Sequence, residues 1–199
     1  MKLFHSPGSC SLGIRILLEQ IGCPYTVEVT DLKQGAQRSA SYLALNPKGK
    51  VPALLLPNGD VLTEFPVIAY WLARRFPDAA LLPKALEQEV RVMELTEHIV
   101  SGLHMRGSVF AMMPQKFTSD PTVQTELRQH GQGVVTDGFD RLTRQLGDGP
   151  YLFDGFTIAD AAAYYLLSWH DRIGVELPAA LQAYVDRLSQ RPSIVASLA

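Results

Sequence analysis

The chain has 199 residues, 47% of them hydrophobic and 19% charged, with a formal net charge of −2. That balance excludes a disordered chain, which needs few apolar residues and strong net charge. It also excludes a basic surface that would draw nucleic acid or an anionic membrane. The surplus of apolar over charged residues predicts apolar surface covered at a subunit interface or a ligand pocket.

The length fits one large domain or two small ones. Two cysteines, Cys10 and Cys23, are too few for a disulfide-stapled secreted scaffold. Met1-Lys2-Leu3-Phe4-His5 has no apolar run of signal-peptide length behind its charge. The most apolar stretch, Ile158 to Trp169, contains Asp160 and is shorter than the ~20 residues needed to span a bilayer. The expectation is a cytoplasmic protein with no membrane or nucleic-acid partner.

In chain order, Lys2–His5 reads as a strand, followed by the breakers Pro7 and Gly8. Ile14, Ile16, Leu17, Leu18 and Ile21 form an apolar helical face closed by Gly22. Tyr25–Val29 alternates like a strand. Ala53–Leu56 and Val61-Leu62 flank Pro57-Asn58-Gly59-Asp60, where Asn-Gly predicts a type I′ hairpin turn. Pro66 suits the first turn of a helix continued by Val67, Ile68, Trp71, Leu72 and Phe76. Pro77 to Pro83 reads as a linker. Beyond it, residues of about 86–112, 122–146, 158–170 and 179–190 read as helices. The domains expected are 1–77, α/β, and 84–199, all-helical.

Cys10 follows Ser6-Pro7-Gly8-Ser9 and opens a helix. Unpaired backbone N–H groups and the helix dipole favour thiolate at such a position. A small buried packing residue is the other reading. The order strand, loop with sulfur, helix, strand is the thioredoxin-like plan. Position 13 is Gly, so no C-x-x-C pair exists and a single thiol would work on an external one. Val51-Pro52 opens a strand, where backbone groups can pair with a peptide-like ligand. Glu64 sits at a strand end running into a helix. It suits either an amino-group contact or a favourable charge in the first turn.

In the second half, Thr157-Ile158-Ala159-Asp160 is a capping box, so Thr157 and Asp160 are read as structural. The run after it is apolar all round, as a buried helix requires. His98 and His104 are six apart, not the i,i+4 of a helical metal pair, and no metal is expected. Met112, Met113 and Phe117 fit either core or a soft apolar wall.

These stretches together resemble the cytosolic glutathione S-transferases, most closely the bacterial beta class. The resemblance rests on Met1-Lys2-Leu3-Phe4, Pro7–Leu12, Asn46–Leu54, Leu62-Thr63-Glu64 and Phe156–Ala161, in order along nearly the whole chain. It implies an N-terminal thioredoxin-like βαβαββα domain, a C-terminal helical bundle and a homodimer. It also implies glutathione as co-substrate and a small, usually apolar electrophile between the domains. By position, Cys10 resembles the residue that meets the glutathione sulfur, with Ser9 and His104 beside it. Val51 resembles the backbone partner of the glutathione cysteine, with Pro52 cis. Glu64 and Phe65 resemble the γ-glutamyl end, and Lys33 a group for the glycine carboxylate. Glu97, across the dimer, and Ser101 resemble further site residues. His5, Met105, Ser108 and Met112 resemble the electrophile pocket.

The sequence departs from the beta-class pattern at several of these positions. His5 stands where Tyr is common, and Phe65 where a small hydroxyl residue is common. Phe65 is expected to narrow the γ-glutamyl pocket and to lose a bond worth about 1.5–3 kcal/mol. Glu97 replaces a common amide, Gly102 a common acid and Met105 a common Lys. Two alternatives to a transferase follow: a glutathione-dependent isomerase or dehalogenase on the same fold, and a non-catalytic relative that binds a protein partner.

Overall fold

A computed structural model describes all 199 residues. Its first half is β1 (Lys2–His5), α1 (Ser11–Ile21), β2 (Thr26–Val29), α2 (Ala40–Leu45), β3 (Ala53–Leu55), β4 (Val61–Thr63) and α3 (Phe65–Arg75). The sheet order is β2-β1-β3-β4. β1 pairs in parallel with β2, and β3 runs antiparallel to both β1 and β4. This is the thioredoxin-like arrangement. Leu3 lies opposite Val27 on one side and Leu54 on the other, so β1 occupies the sheet centre.

The β3–β4 turn corrects the type I′ expectation. Only Gly59 of the Asn-Gly pair has positive φ, at 91°. Gly59 N–H donates to the Leu56 carbonyl, which makes Pro57 the first central residue. The pyrrolidine ring fixes φ near −65°, so a type I turn followed by a left-handed glycine forms instead.

The second half is helical: α4 (Leu86–Glu97), α5 (Val109–Met112), α6 (Pro121–Leu146), α7 (Ile158–Leu167), α8 (His170–Ile173), α9 (Ala179–Ser189) and α10 (Pro192–Leu198). α4 runs without a break into a widened segment, His98–Ser108, with i→i+5 bonding. At its end the Val109 N–H donates to the His104 carbonyl. Asp120 caps α6, its carboxylate accepting from the N–H groups of Thr122 and Val123, with Pro121 in the first position.

All ten residues of α7 are buried. α7 packs against α1, α4 and α9, while α1 also meets α3 and α10. One apolar core therefore runs through both halves, from Leu3 and Ile14 to Tyr165 and Tyr184. Asp160 anchors it. Its carboxylate accepts from the Thr157 N–H at 2.8 Å, the Thr157 hydroxyl at 2.9 Å, the Leu152 N–H at 3.0 Å and the Tyr184 hydroxyl at 2.6 Å. No helix is long and apolar enough to cross a membrane.

Candidate active site

β1 ends at His5, and the loop Ser6–Ser9 delivers Cys10 to the N-terminus of α1. Cys10 Sγ lies 3.5 Å from the Val51 carbonyl, to which it donates. The Val51–Pro52 peptide is cis. The thiolate expected at this helix end is not what the surroundings favour. Burial pushes the Cys10 thiol up to about 12. The backbone N–H groups of Cys10 and Ser11 and the charge of Lys50 pull it down less strongly. Cys10 is therefore a neutral hydrogen-bond donor at physiological pH.

The loop presenting Val51 is held from behind. Buried Asn46 donates its amide to the Lys50 carbonyl at 2.8 Å, and the Tyr42 hydroxyl donates to the same carbonyl at 2.6 Å. Lys48, in that loop, reaches Glu64 Oε1 at 2.7 Å and Thr63 Oγ1 at 2.8 Å. Glu64 has φ 70°, a left-handed conformation costly for a residue with a Cβ. Such strain persists only where the surroundings hold it in place, here the β4–α3 junction and Lys48.

The Phe65 ring does not point toward this end of the site. It is buried, 5.3 Å from the Tyr165 ring. A Cβ at Gly13 would stand 2.6 Å from Phe65 Cε2 and 2.8 Å from the Ala161 carbonyl. The ring thus fills the space that Gly13 leaves between α1 and α7. The expected narrowing of the γ-glutamyl pocket is corrected accordingly.

His104, on the widened helix, packs edge-on to Trp169 at 4.9 Å and to Tyr165 at 5.8 Å between ring centres. Its Nδ1 is 3.4 Å from the Tyr165 hydroxyl. Burial, helped by the Lys50 charge, pushes its imidazole down to about 4. Burial, the largest cause, pushes the Tyr165 hydroxyl well above its ordinary value. From α8, Arg172 donates to the Gly8 carbonyl at 3.0 Å and so fastens the Ser6–Ser9 loop to the second half.

His5 is buried and bonded to Ser11 rather than facing an open pocket. Ser108 is also buried, its hydroxyl donating to the Leu103 carbonyl, so it lines no cleft. Met112 packs on the core and Met105 is exposed. Ser101 donates to the Glu97 carbonyl, and the Glu97 side chain is exposed. Lys33 is exposed and its backbone N–H donates to Asp31. A concavity of about 960 Å³ lies elsewhere, where the end of α3, the linker and α4 meet around Arg74, Pro83 and Arg91. Sequence reasoning missed Lys48, Tyr165, Trp169 and Arg172. Tyr165 and Trp169 sit in an apolar run that reads only as core, and the other two act through side-chain directions that no spacing reveals.

This region thus combines a thiol that donates to a backbone carbonyl, an aromatic wall and a lysine–glutamate pair. The N-terminal domain signature of glutathione S-transferases matches residues 8–75, and the C-terminal domain signature matches 125–192. The glutathione S-transferase GstA of Escherichia coli O157:H7 is 33% identical over 199 residues, covering 98% of this chain and 95% of that protein. A maleylacetoacetate isomerase of Pseudomonas aeruginosa is 32% identical, covering 90% of this chain and 85% of that protein. The structure of a bacterial beta-class enzyme from Sphingomonas chungbukensis superposes with a TM-score of 0.86 at 34% identity, covering 100% of this chain and 97% of that one. The chain belongs to the glutathione S-transferase family.

Proposed function

We propose that this chain, a glutathione transferase by family, activates the glutathione thiol beside Cys10 and directs it at a small apolar electrophile. The observation that best supports this reading is the Cys10 thiol 3.5 Å from the Val51 carbonyl at the mouth of a thioredoxin-like sheet. The Val51 backbone would pair with the cysteinyl residue of glutathione. The N-terminus of α3, with Glu64 and the Phe65 N–H, would take the γ-glutamyl end. Lys33 would meet the glycine carboxylate. The sulfur would then receive hydrogen bonds from neutral Cys10 and from Ser9, which favour its thiolate. His104, neutral and packed among Tyr165 and Trp169, would contribute an N–H donor and an aromatic wall rather than a positive charge.

Likeness to the Pseudomonas isomerase supports a second reading, in which the same thiolate adds to and leaves a double bond and so isomerises it. Both readings require a homodimer only if Glu97 acts across an interface. Calorimetric titration with glutathione tests both. Saturable binding is expected, and absence of binding at millimolar concentration would instead support a non-catalytic, protein-binding relative.

A further inference from the structure

Four residues at the start of α1 form a line of close polar contacts. His5 Nδ1 is 2.8 Å from Ser11 Oγ, Ser11 Oγ is 2.7 Å from Ser9 Oγ, and Ser9 Oγ is 2.8 Å from the Ser6 carbonyl. Each contact needs one proton between its heavy atoms. The carbonyl brings none, and each hydroxyl brings one. The third must come from the imidazole. The Ser6 and Ser11 N–H groups also donate to Ser11 Oγ and Ser9 Oγ, but with their own protons and along other directions. The 3.4 Å approach of Ser11 Oγ to the Ser6 carbonyl is too long to compete. Proton counting thus fixes His5 as the tautomer carrying hydrogen on Nδ1.

The direction of this line has a chemical consequence. If His5 instead drew the proton of Ser11, the proton of Ser9 would be drawn inward to Ser11. With His5 donating, every proton points outward. His5, Ser6 and Ser11 are buried, while Ser9 is partly open and adjoins Cys10. Burial, with the positive charge of Arg15 on α1, pushes His5 down to about 4, so the imidazole stays neutral through physiological pH.

We propose that His5 is a positioning residue for thiol activation: it donates to Ser11, Ser11 donates to Ser9, and the Ser9 proton is left free to turn from the Ser6 carbonyl to the glutathione sulfur. The thiol proton leaves to solvent, and the line itself loses none. This rests on the glutathione reading given above. It assigns to His5 a task that does not involve touching the electrophile.

Two measurements test it. Nitrogen NMR of the ligand-free protein should show His5 neutral with its proton on Nδ1; a proton on Nε2 would overturn the proposal without reference to any ligand. The second reads the thiolate absorbance of bound glutathione at neutral pH, with calorimetry run alongside. His5→Leu and Ser11→Ala should each lower the thiolate fraction about tenfold, the loss expected from one hydrogen bond to a charged group. The double variant should be no worse than either single one. His5→Asn, whose amide N–H donates from the same end, should restore much of the fraction. If the buried variants fail to fold, Ser9→Ala at the open end reports on the same step. Wild-type thiolate fractions in folded His5→Leu or Ser9→Ala that still bind glutathione would overturn the relay. Failure of the unaltered protein to bind glutathione would overturn the functional reading instead.

Discussion

A thiol at a helix N-terminus is usually argued to ionise, yet here desolvation outweighs the dipole and Cys10 stays protonated. Conjugation then depends on the glutathione thiolate, with Cys10 one donor among several. Cys10→Ala should reduce conjugation by less than about tenfold, because the Ser9 hydroxyl still donates. The same change should abolish Cys10-dependent disulfide exchange, which should be slow and rise with pH in the unaltered protein. Unchanged rates in both assays would leave Cys10 without a role. Two histidines, buried His5 and half-buried His104, make a second prediction. His5 and His104 are both pushed down from 6.5 to about 4, chiefly by burial. Between those values the unfolded chain binds more protons than the folded one, so stability is lost as pH falls through that window. The Tm should drop by several degrees across it. His104→Gln should flatten the slope; an identical slope in that variant would mean that His104 is already solvated.

At the scale of elements, the Asp160 carboxylate does more than the capping spacing implies. The spacing makes Thr157 and Asp160 legible as an N-cap, but Leu152 and Tyr184 reach the same carboxylate from eight residues before and twenty-four after it. Asp160→Ala would leave buried N–H and O–H groups without acceptors and cost more than about 3 kcal/mol. Chemical denaturation should show it, with Tyr184→Phe costing distinctly less; a loss near zero for Asp160→Ala would refute the anchoring role. The strands and the buried α7 could be read because period and apolar content are local properties. Other features depended on competing local rules. Pro57 overrode Asn-Gly at the hairpin. Pro192 opens α10, beyond the helical patterns legible to residue 190, because its missing N–H costs nothing there. The wide turns of His98–Ser108 have no period that sets them apart from an ordinary helix. The Phe65 ring packs against Gly13 and Tyr165 in the core, a direction that its place in the sequence does not reveal.

For the whole molecule, the apolar surplus of the composition is only partly used by the core. α3 and α4 lie side by side, tied by the Arg74–Glu89 pair at 3.1 Å, in which Glu89 is buried. On α3 Val67 is 51% exposed with Tyr70 also open, and on α4 Leu86 is 66% and Val90 53% exposed. Positions 67 and 70, and 86 and 90, have the three- and four-residue spacings that put side chains on one helix face. The stripe on α4 continues by seven residues from Val90 to exposed Glu97. An exposed apolar stripe of this kind would suit a two-fold interface, where the same patch of each subunit meets its copy. The protein should therefore sediment at twice 21.9 kDa. Val90→Glu would place a carboxylate on each side of the two-fold contact, and like charges there should shift the equilibrium toward monomer. If Glu97 acts across the interface, the monomer should bind glutathione more weakly in proportion to its dissociation, while Glu97→Gln in the intact dimer reproduces that loss without changing the mass. A wild-type chain that sediments at 21.9 kDa would remove the interface. A dimer whose glutathione affinity ignores Glu97→Gln would leave the interface standing and confine each active site to one subunit.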